Sequence, residues 1–105
     1  MSIGNILGNI PTDLSEEAFT NIEQSNSLKI ERIVSKGHTS SDWYDHDQNE
    51  WVMVVQGSAT IEYDDGAKFD MEAGSYLNIP AHQRHKVTRT DASIETIWLA
   101  IHYDV

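Results

Sequence analysis

From Leu28 onward the chain is dominated by a two-residue alternation. Leu28, Ile30, Arg32 and Val34 alternate with Lys29, Glu31, Ile33 and Ser35 until Gly37 breaks the run. Ala59, Ile61 and Tyr63 alternate with Ser58, Thr60 and Glu62. Successive side chains of a strand point to opposite faces, so each run predicts a strand with two distinct sides. Asp64-Asp65-Gly66 follows, and Asp-Gly supplies the positive φ that a hairpin turn needs. Further strands are predicted over 68–72, over 76–79 (stopped by Pro80), over 85–90 and over 93–103, with Ala73-Gly74 as a turn. Many short strands punctuated by Gly, Pro and Asp predict an all-β sandwich or barrel. The N-terminal stretch reads differently. Asp13-Leu14-Ser15-Glu16 has the form of a capping box, and Leu14, Ala18, Phe19 and Ile22 fall on one helical face. This predicts a short helix over 14–20, with Glu16 and Glu17 in an acidic first turn at the positive end of its dipole. The domain organisation expected is an N-terminal extension with a short helix over 1–27 and a β-barrel domain over 28–105.

Two predicted strands, 51–55 and 94–101, are apolar on both faces. An antiparallel sheet with one wet face alternates instead, so something must cover the second face. The helix covers part of it, and a second copy of the chain is the economical cover for the remainder, which makes a homodimer the expectation. A chain of 105 residues is one domain, large enough to hold a core without cross-links. It has no cysteine, which excludes disulfides, thiolate metal sites and cysteine nucleophiles. Seven Lys and Arg stand against 17 Asp and Glu, a formal charge of -10. That charge is repelled by phosphate backbones and anionic lipid, so neither nucleic acid nor membrane is an expected partner. No apolar run approaches the ~20 residues of a membrane-spanning helix. Met1 to Pro11 has no Lys or Arg with which to build the basic start of a secretory signal. A cytoplasmic protein with a small-molecule partner is expected.

Candidate chemistry gathers in two segments. The first runs Trp43-Tyr44-Asp45-His46-Asp47-Gln48-Asn49-Glu50, and the second runs from Gly74 through Pro80 to His85. Imidazole and carboxylate together suit divalent zinc, iron, nickel, copper or manganese. Residues 44 and 46 share one face of an extended segment, Glu50 opens the next strand, and His85 opens a later one.

These segments resemble the two motifs of the cupin family. His46, three residues, Glu50, six residues and Gly57 match the second half of the family's first motif. Gly74, five residues, Pro80 and then His85 five positions on match the second motif. Together the motifs cover about half the chain. The resemblance implies a cupin double-stranded β-helix, a jelly-roll-like barrel of two sheets with a metal inside. It also implies His46, Glu50 and His85 as ligands of one divalent transition metal such as iron, zinc, nickel or manganese. Departures are plain. Tyr44 occupies the first histidine position, His82 stands where the family has Gly, Arg89 stands where it has Asn, and Gly37 is one place from the motif's opening Gly.

Two histidines and one carboxylate form the facial set of non-haem iron enzymes. Tyr44 is then a phenolate ligand, a hydrogen-bond donor behind the ligands, a general acid or simply a packed barrel tyrosine. His82 replaces the missing histidine, shuttles a proton, or is an exposed loop residue. Arg89, four residues beyond His85, shares its face if the strand is regular, and would hold an anionic substrate by a bidentate contact. Its alternative is an ion pair with one of the many acids. His102 reads as a hydrogen-bonded wall residue, and Asp42, Asp45 and Asp47 as a solvated loop. Two functions follow. One is a metal-dependent enzyme on a small organic substrate, whether oxygenase, isomerase, lyase or decarboxylase. The other is a non-enzymatic binding or sensor module with or without metal.

Overall fold

A computed structural model describes residues 3–104. Among them lie eight strands and no helix: β1 (Ala18–Gln24), β2 (Leu28–Ser35), β3 (Asn49–Gln56), β4 (Ser58–Tyr63), β5 (Lys68–Glu72), β6 (Tyr76–Ile79), β7 (His85–Thr90) and β8 (Thr96–Tyr103). The strands pair antiparallel in two sheets, one of five strands in the order β1-β2-β8-β3-β6 and one of three in the order β5-β4-β7. The facing sheets enclose Val52, Val54, Trp98 and Ala100 from one side and Ala59, Ile61 and Met71 from the other. This is the all-β architecture that the strand pattern predicts, in the double-sheet barrel form that the cupin resemblance implies.

The predicted helix over 14–20 does not form. Residues 18–24 pair with β2 instead, Ala18 opposite Val34 and Phe19 opposite Ile33. The Asp13 carboxylate accepts the Ser15 N–H at 3.0 Å, a local turn rather than a helix cap. The reason is physical. A helix of about two turns is below the length that sustains itself in water, whereas Ala18-Phe19-Thr20-Asn21 gains ladder hydrogen bonds from a neighbouring strand, and Phe19 and Thr20 are residues that suit one.

The faces of the large sheet divide the work. Glu31, Ile33 and Ser35 on β2 point into the barrel, along with Glu50, Val52 and Val54 on β3 and Trp98, Ala100 and His102 on β8. The outer face carries Ile30, Arg32 and Val34. There the Arg32 guanidinium donates to the carbonyls of Gly8 at 2.6 Å, Ile6 at 3.3 Å and Asn9 at 3.3 Å, clamping the N-terminal segment over the sheet. The rest of that face, Trp51, Met53, Leu99 and Ile101, is half-buried, and Trp51 stacks on exposed Tyr76.

One residue, Gly57, turns the chain from β3 in the large sheet to β4 in the small one. Its φ is +87°, and a Cβ there would lie 2.6 Å from Thr96 Oγ1 and 2.8 Å from Thr96 Cα. Gly66, in the β4–β5 hairpin, has φ +93° but open space around it. Both glycines carry the conformational penalty for an L side chain, roughly 1–2 kcal/mol, and only Gly57 adds the overlap. Gly57→Ala is therefore expected to cost about 2 kcal/mol more than Gly66→Ala. Urea unfolding of the two variants side by side measures the difference, and equal losses would show that the corner has room.

Candidate metal centre

Strand register and one loop bridge bring three candidate ligands to one end of the barrel. Glu50, the second residue of β3, is opposite Ile79 on β6 and His102 on β8. His85 begins β7 in the facing sheet, and Tyr44 and His85 exchange backbone hydrogen bonds of 2.7 and 3.1 Å across an isolated bridge. That bridge brings the 43–47 segment against β7 and carries His46 inward. His46, Glu50 and His85 thus converge, each offering one ligand atom within 4.8 Å of the others. His46 Nε2 lies 3.8 Å and His85 Nε2 3.4 Å from Glu50 Oε1.

This donor set fits a divalent transition metal. Nitrogen and oxygen donors sit roughly 2 Å from such an ion, which leaves neighbouring donors roughly 3–3.5 Å apart, so small side-chain rotations complete the set. His85 Nδ1 lies 2.8 Å from the Gln83 carbonyl, which fixes that nitrogen as the donor and aims Nε2 at the site. Burial opposes charge on His85. The hydrogen bond to Glu50, helped by the Gln83 carbonyl, more than offsets this and raises its proton affinity above the ordinary imidazole value. His46 goes the other way: burial lowers its pKa, and the attraction of Glu50 only partly compensates.

A second buried pair stands beside this set. His102 Nε2 lies 3.2 Å from Glu31 Oε1, and Lys29 Nζ lies 3.4 Å from Glu31 Oε2. The hydrogen bond to Glu31 raises the His102 pKa against the effect of burial. The same bond lowers that of Glu31. The His102 ring meets the His46 ring edge-on at 5.7 Å. His102 is thus the hydrogen-bonded wall residue expected, but its partner Glu31 was read only as one polar position of an alternating strand. What could have found it is that it shares a strand face with Ile33, which makes an inward carboxylate.

The remaining sequence candidates are dispersed. Tyr44 is 42% exposed at the cavity rim, its ring stacked on His46 at 5.7 Å and 15°. His82 adopts φ +64° in the loop before β7, where its exposed ring reaches Asp45 at 2.9 Å. It does not line the cavity. Arg89 does not share the face of His85. The β4–β7 register shifts between Thr60, opposite Arg89, and Ile61, opposite Val87. The extra residue is a bulge that reverses facing beyond it. Thr90 is consequently buried, while Arg89 is outside, donating to Thr60 Oγ1 at 3.2 Å and Ser58 Oγ at 3.0 Å. Arg84 and Lys86 lie over the Trp43 ring, at 5.9 and 4.3 Å. Asp45 and Asp47 both face His82 rather than the ligands.

The cavity at the ligands has a volume of about 170 Å³. Its wall is largely apolar, with Ile33, Val52, Ile61, Val87 and Trp98. Among the described residues, no Lys or Arg lines it.

The Glu31–His102 pair gives a pH dependence with a definite sign. His102 holds its proton more tightly folded than unfolded, so its linked stability is full below the ordinary value of 6.5 and is lost as pH rises through the higher folded value. Glu31 is depressed, so its contribution is full above 4.5 and is lost as pH falls through the lower folded value. The pair is strongest between those two values. Glu31→Gln should therefore lose most stability relative to the parent near pH 5–6, with the gap narrowing toward pH 8. Urea unfolding in a chelating buffer measures it, and a gap independent of pH would show that the pair carries no linked proton.

A model of the cupin domain matches residues 31–102. No curated protein matches the chain. Among solved structures, a candidate mannose-6-phosphate isomerase from Ralstonia eutropha is 44% identical, with all of both chains covered and a TM-score of 0.94. A cupin superfamily protein from Desulfitobacterium hafniense shares the fold at 20% identity, covering 91% of this chain and 84% of the other, with a TM-score of 0.77. An RmlC-like cupin from Desulfovibrio desulfuricans does so at 18%, covering 100% and 99%, with a TM-score of 0.78. With both motifs, the two-sheet barrel and the inward His-Glu-His set in place, the chain belongs to the cupin domain family.

Proposed function

We propose that this chain is a metal-dependent enzyme that moves a proton within a small organic substrate, an isomerase-type reaction. The observation that carries the reading is the convergence of His46, Glu50 and His85 at the head of an apolar cavity. A divalent transition metal held there, iron, zinc, nickel or manganese, would polarise a substrate oxygen. The chain's own residues supply the rest. The Gln83 carbonyl fixes the His85 ring, and Glu50 is shared between both histidines. The apolar wall keeps water from the inner side of the cavity, while His46 and Tyr44 reach solvent at its rim. At the rim the Tyr44 hydroxyl is a proton donor, and at the wall Glu31 orients the His102 imidazole as the group that takes and returns a proton. The name of the Ralstonia protein supports isomerisation as the reaction class. The exposed position of His82 gives it a loop-fixing rather than a chemical role.

We further propose that two copies join through the outer face of the large sheet. Trp51, Met53, Leu99, Ile101 and Tyr76 form one apolar patch there, which the Arg32-clamped N-terminal segment leaves half-exposed. A two-fold contact of such a patch with itself closes the assembly at two.

Metal binding is tested on protein purified without an affinity tag. Glu50→Gln is expected to lose most of its bound metal by elemental analysis while its circular dichroism stays that of the parent, since glutamine keeps the side chain's shape and the apolar core cluster is untouched. Because protons compete for His46 and His85, the rise in melting temperature given by added metal should shrink as pH falls from 8 to 5. Full occupancy in Glu50→Gln, or a metal effect flat across that range, would leave a binding barrel without a metal centre. For assembly, light scattering at micromolar concentration should give about twice 11.9 kDa, and Trp51→Glu should give the single mass. A monomeric parent refutes the interface.

A further inference from the structure

The segment that sequence reasoning folds into a helix instead places a carboxylate in the cavity. Glu17, just before β1, lines the same cavity as the ligand set. It precedes the matched cupin-domain span, 31–102. Its position is fixed from beneath. The Ser35 hydroxyl, itself fully buried, donates to Glu17 Oε2. Ser35 Oγ in turn accepts the Trp98 indole N–H at 3.3 Å, which leaves the hydroxyl proton committed to Glu17. The backbone around Glu17 is tied as well. His38 Nδ1 accepts the Lys36 N–H at 2.9 Å, so Nε2 carries the proton and faces the Ser15 carbonyl at 3.4 Å. Oε1 of Glu17 has no protein partner among the described hydrogen bonds and remains available to a ligand.

Glu17 and the ligand set stand at different places in the cavity. Ser35, which holds Glu17, lies four residues along β2 from Glu31, roughly 13 Å of strand, and Glu31 contacts His102 beside the ligands. Between the two lie Ile33, Val52 and Trp98. A molecule that fills this space meets metal ligands at one end, an apolar stretch in the middle and a fixed carboxylate at the other end. No Lys or Arg among the described lining residues offsets that carboxylate, because the bulge in β7 turns Arg89 outward.

We propose that Glu17 is a specificity-determining residue that selects the end of the substrate remote from the metal centre, accepting a hydroxyl or ammonium group and rejecting a carboxylate or phosphate. The proposal rests on the metal-centre reading above and adds the substrate class: a short molecule with an oxygen-bearing head and a neutral or cationic, hydrogen-bond-donating tail. The physical reason is the asymmetry of polar burial. A donor tail satisfies Glu17 Oε1, whereas an anionic tail leaves two like charges facing each other in a poorly hydrated cavity.

The test uses ω-substituted hydroxamic acids, whose chelating head suits a divalent metal, on a common chain of four to six carbons with hydroxyl, ammonium, carboxylate or phosphate tails. Isothermal titration measures their binding to the zinc-loaded protein. The parent is expected to bind the ammonium and hydroxyl tails roughly tenfold or more tightly than the carboxylate and phosphate tails, about 1.4 kcal/mol per tenfold. Glu17→Gln keeps the shape and still accepts the Ser35 hydrogen, and it should erase the ammonium preference. Glu17→Asp, which keeps the charge, should restore part of it. Head-dependent binding with a tail order indifferent to these substitutions, or a preference of the parent for phosphate, overturns the Glu17 assignment alone. If no hydroxamate binds with head dependence to any of the proteins, the metal-centre reading and the assignment fall together.

Discussion

Charge inside a narrow apolar barrel is the constraint on which the rest of this structure depends. An ionised carboxylate moved from water into such a space is costly unless it finds a partner. Three carboxylates enter the cavity, and each enters with company. Glu50 lies between two imidazoles, Glu31 lies between His102 and Lys29, and Glu17 receives the Ser35 hydroxyl. The partners are matched in kind to the work. The imidazoles around Glu50 can exchange a proton for a metal, the Glu31 pair holds an imidazole upright, and the neutral hydroxyl leaves Glu17 with its charge unspent. Apart from Lys29 on Glu31, the nearby cations Arg84, Lys86 and Arg89 lie outside the cavity, over Trp43 or against Ser58 and Thr60.

The backbone makes these placements affordable. Glu31, Glu50 and His102 sit on strands paired on both sides, and His85 on a strand bridged by a loop, so the main-chain groups around them are already satisfied. The antiparallel register sets Glu50 directly opposite His102, which is why the two polar pairs share one end of the barrel. Below that end the walls are Val, Ile and Trp, and the Trp98 indole N–H is met by the buried Ser35 hydroxyl oxygen.

Most of the fold was legible in the alternation of side chains, because a two-residue period is a property of the backbone itself and survives in any sheet. Seven of the eight strands lie where alternation, doubly apolar runs and the Gly, Pro and Asp punctuation between them put strands. The exception is β1. Its residues satisfy a helical face and a strand equally well, and the choice was made by the unpaired edge of β2, which a local pattern does not contain. The convergence of His46, Glu50 and His85 was legible through the motif spacing that the cupin resemblance rests on. Glu17 and the joining of Glu31 to His102 were harder. His102 reads as a wall residue and Glu31 shares its strand face with Ile33, but the contact between them comes from pairing of distant segments, and nothing in the neighbours of Glu17 marks it as inward. Arg89 went astray for a related reason: counting by twos assumes a regular strand.

The bulge in β7 has a consequence for how this chain and its relatives change over time. On one side of Thr88 odd-numbered residues face inward, and on the other side even-numbered ones do. Removing that single residue would restore regular pairing while leaving His85 and Val87 inside, Arg89 outside and Thr90 inside, each on its present side. Chain length at this point is thus nearly free to drift by one without altering what lines the cavity.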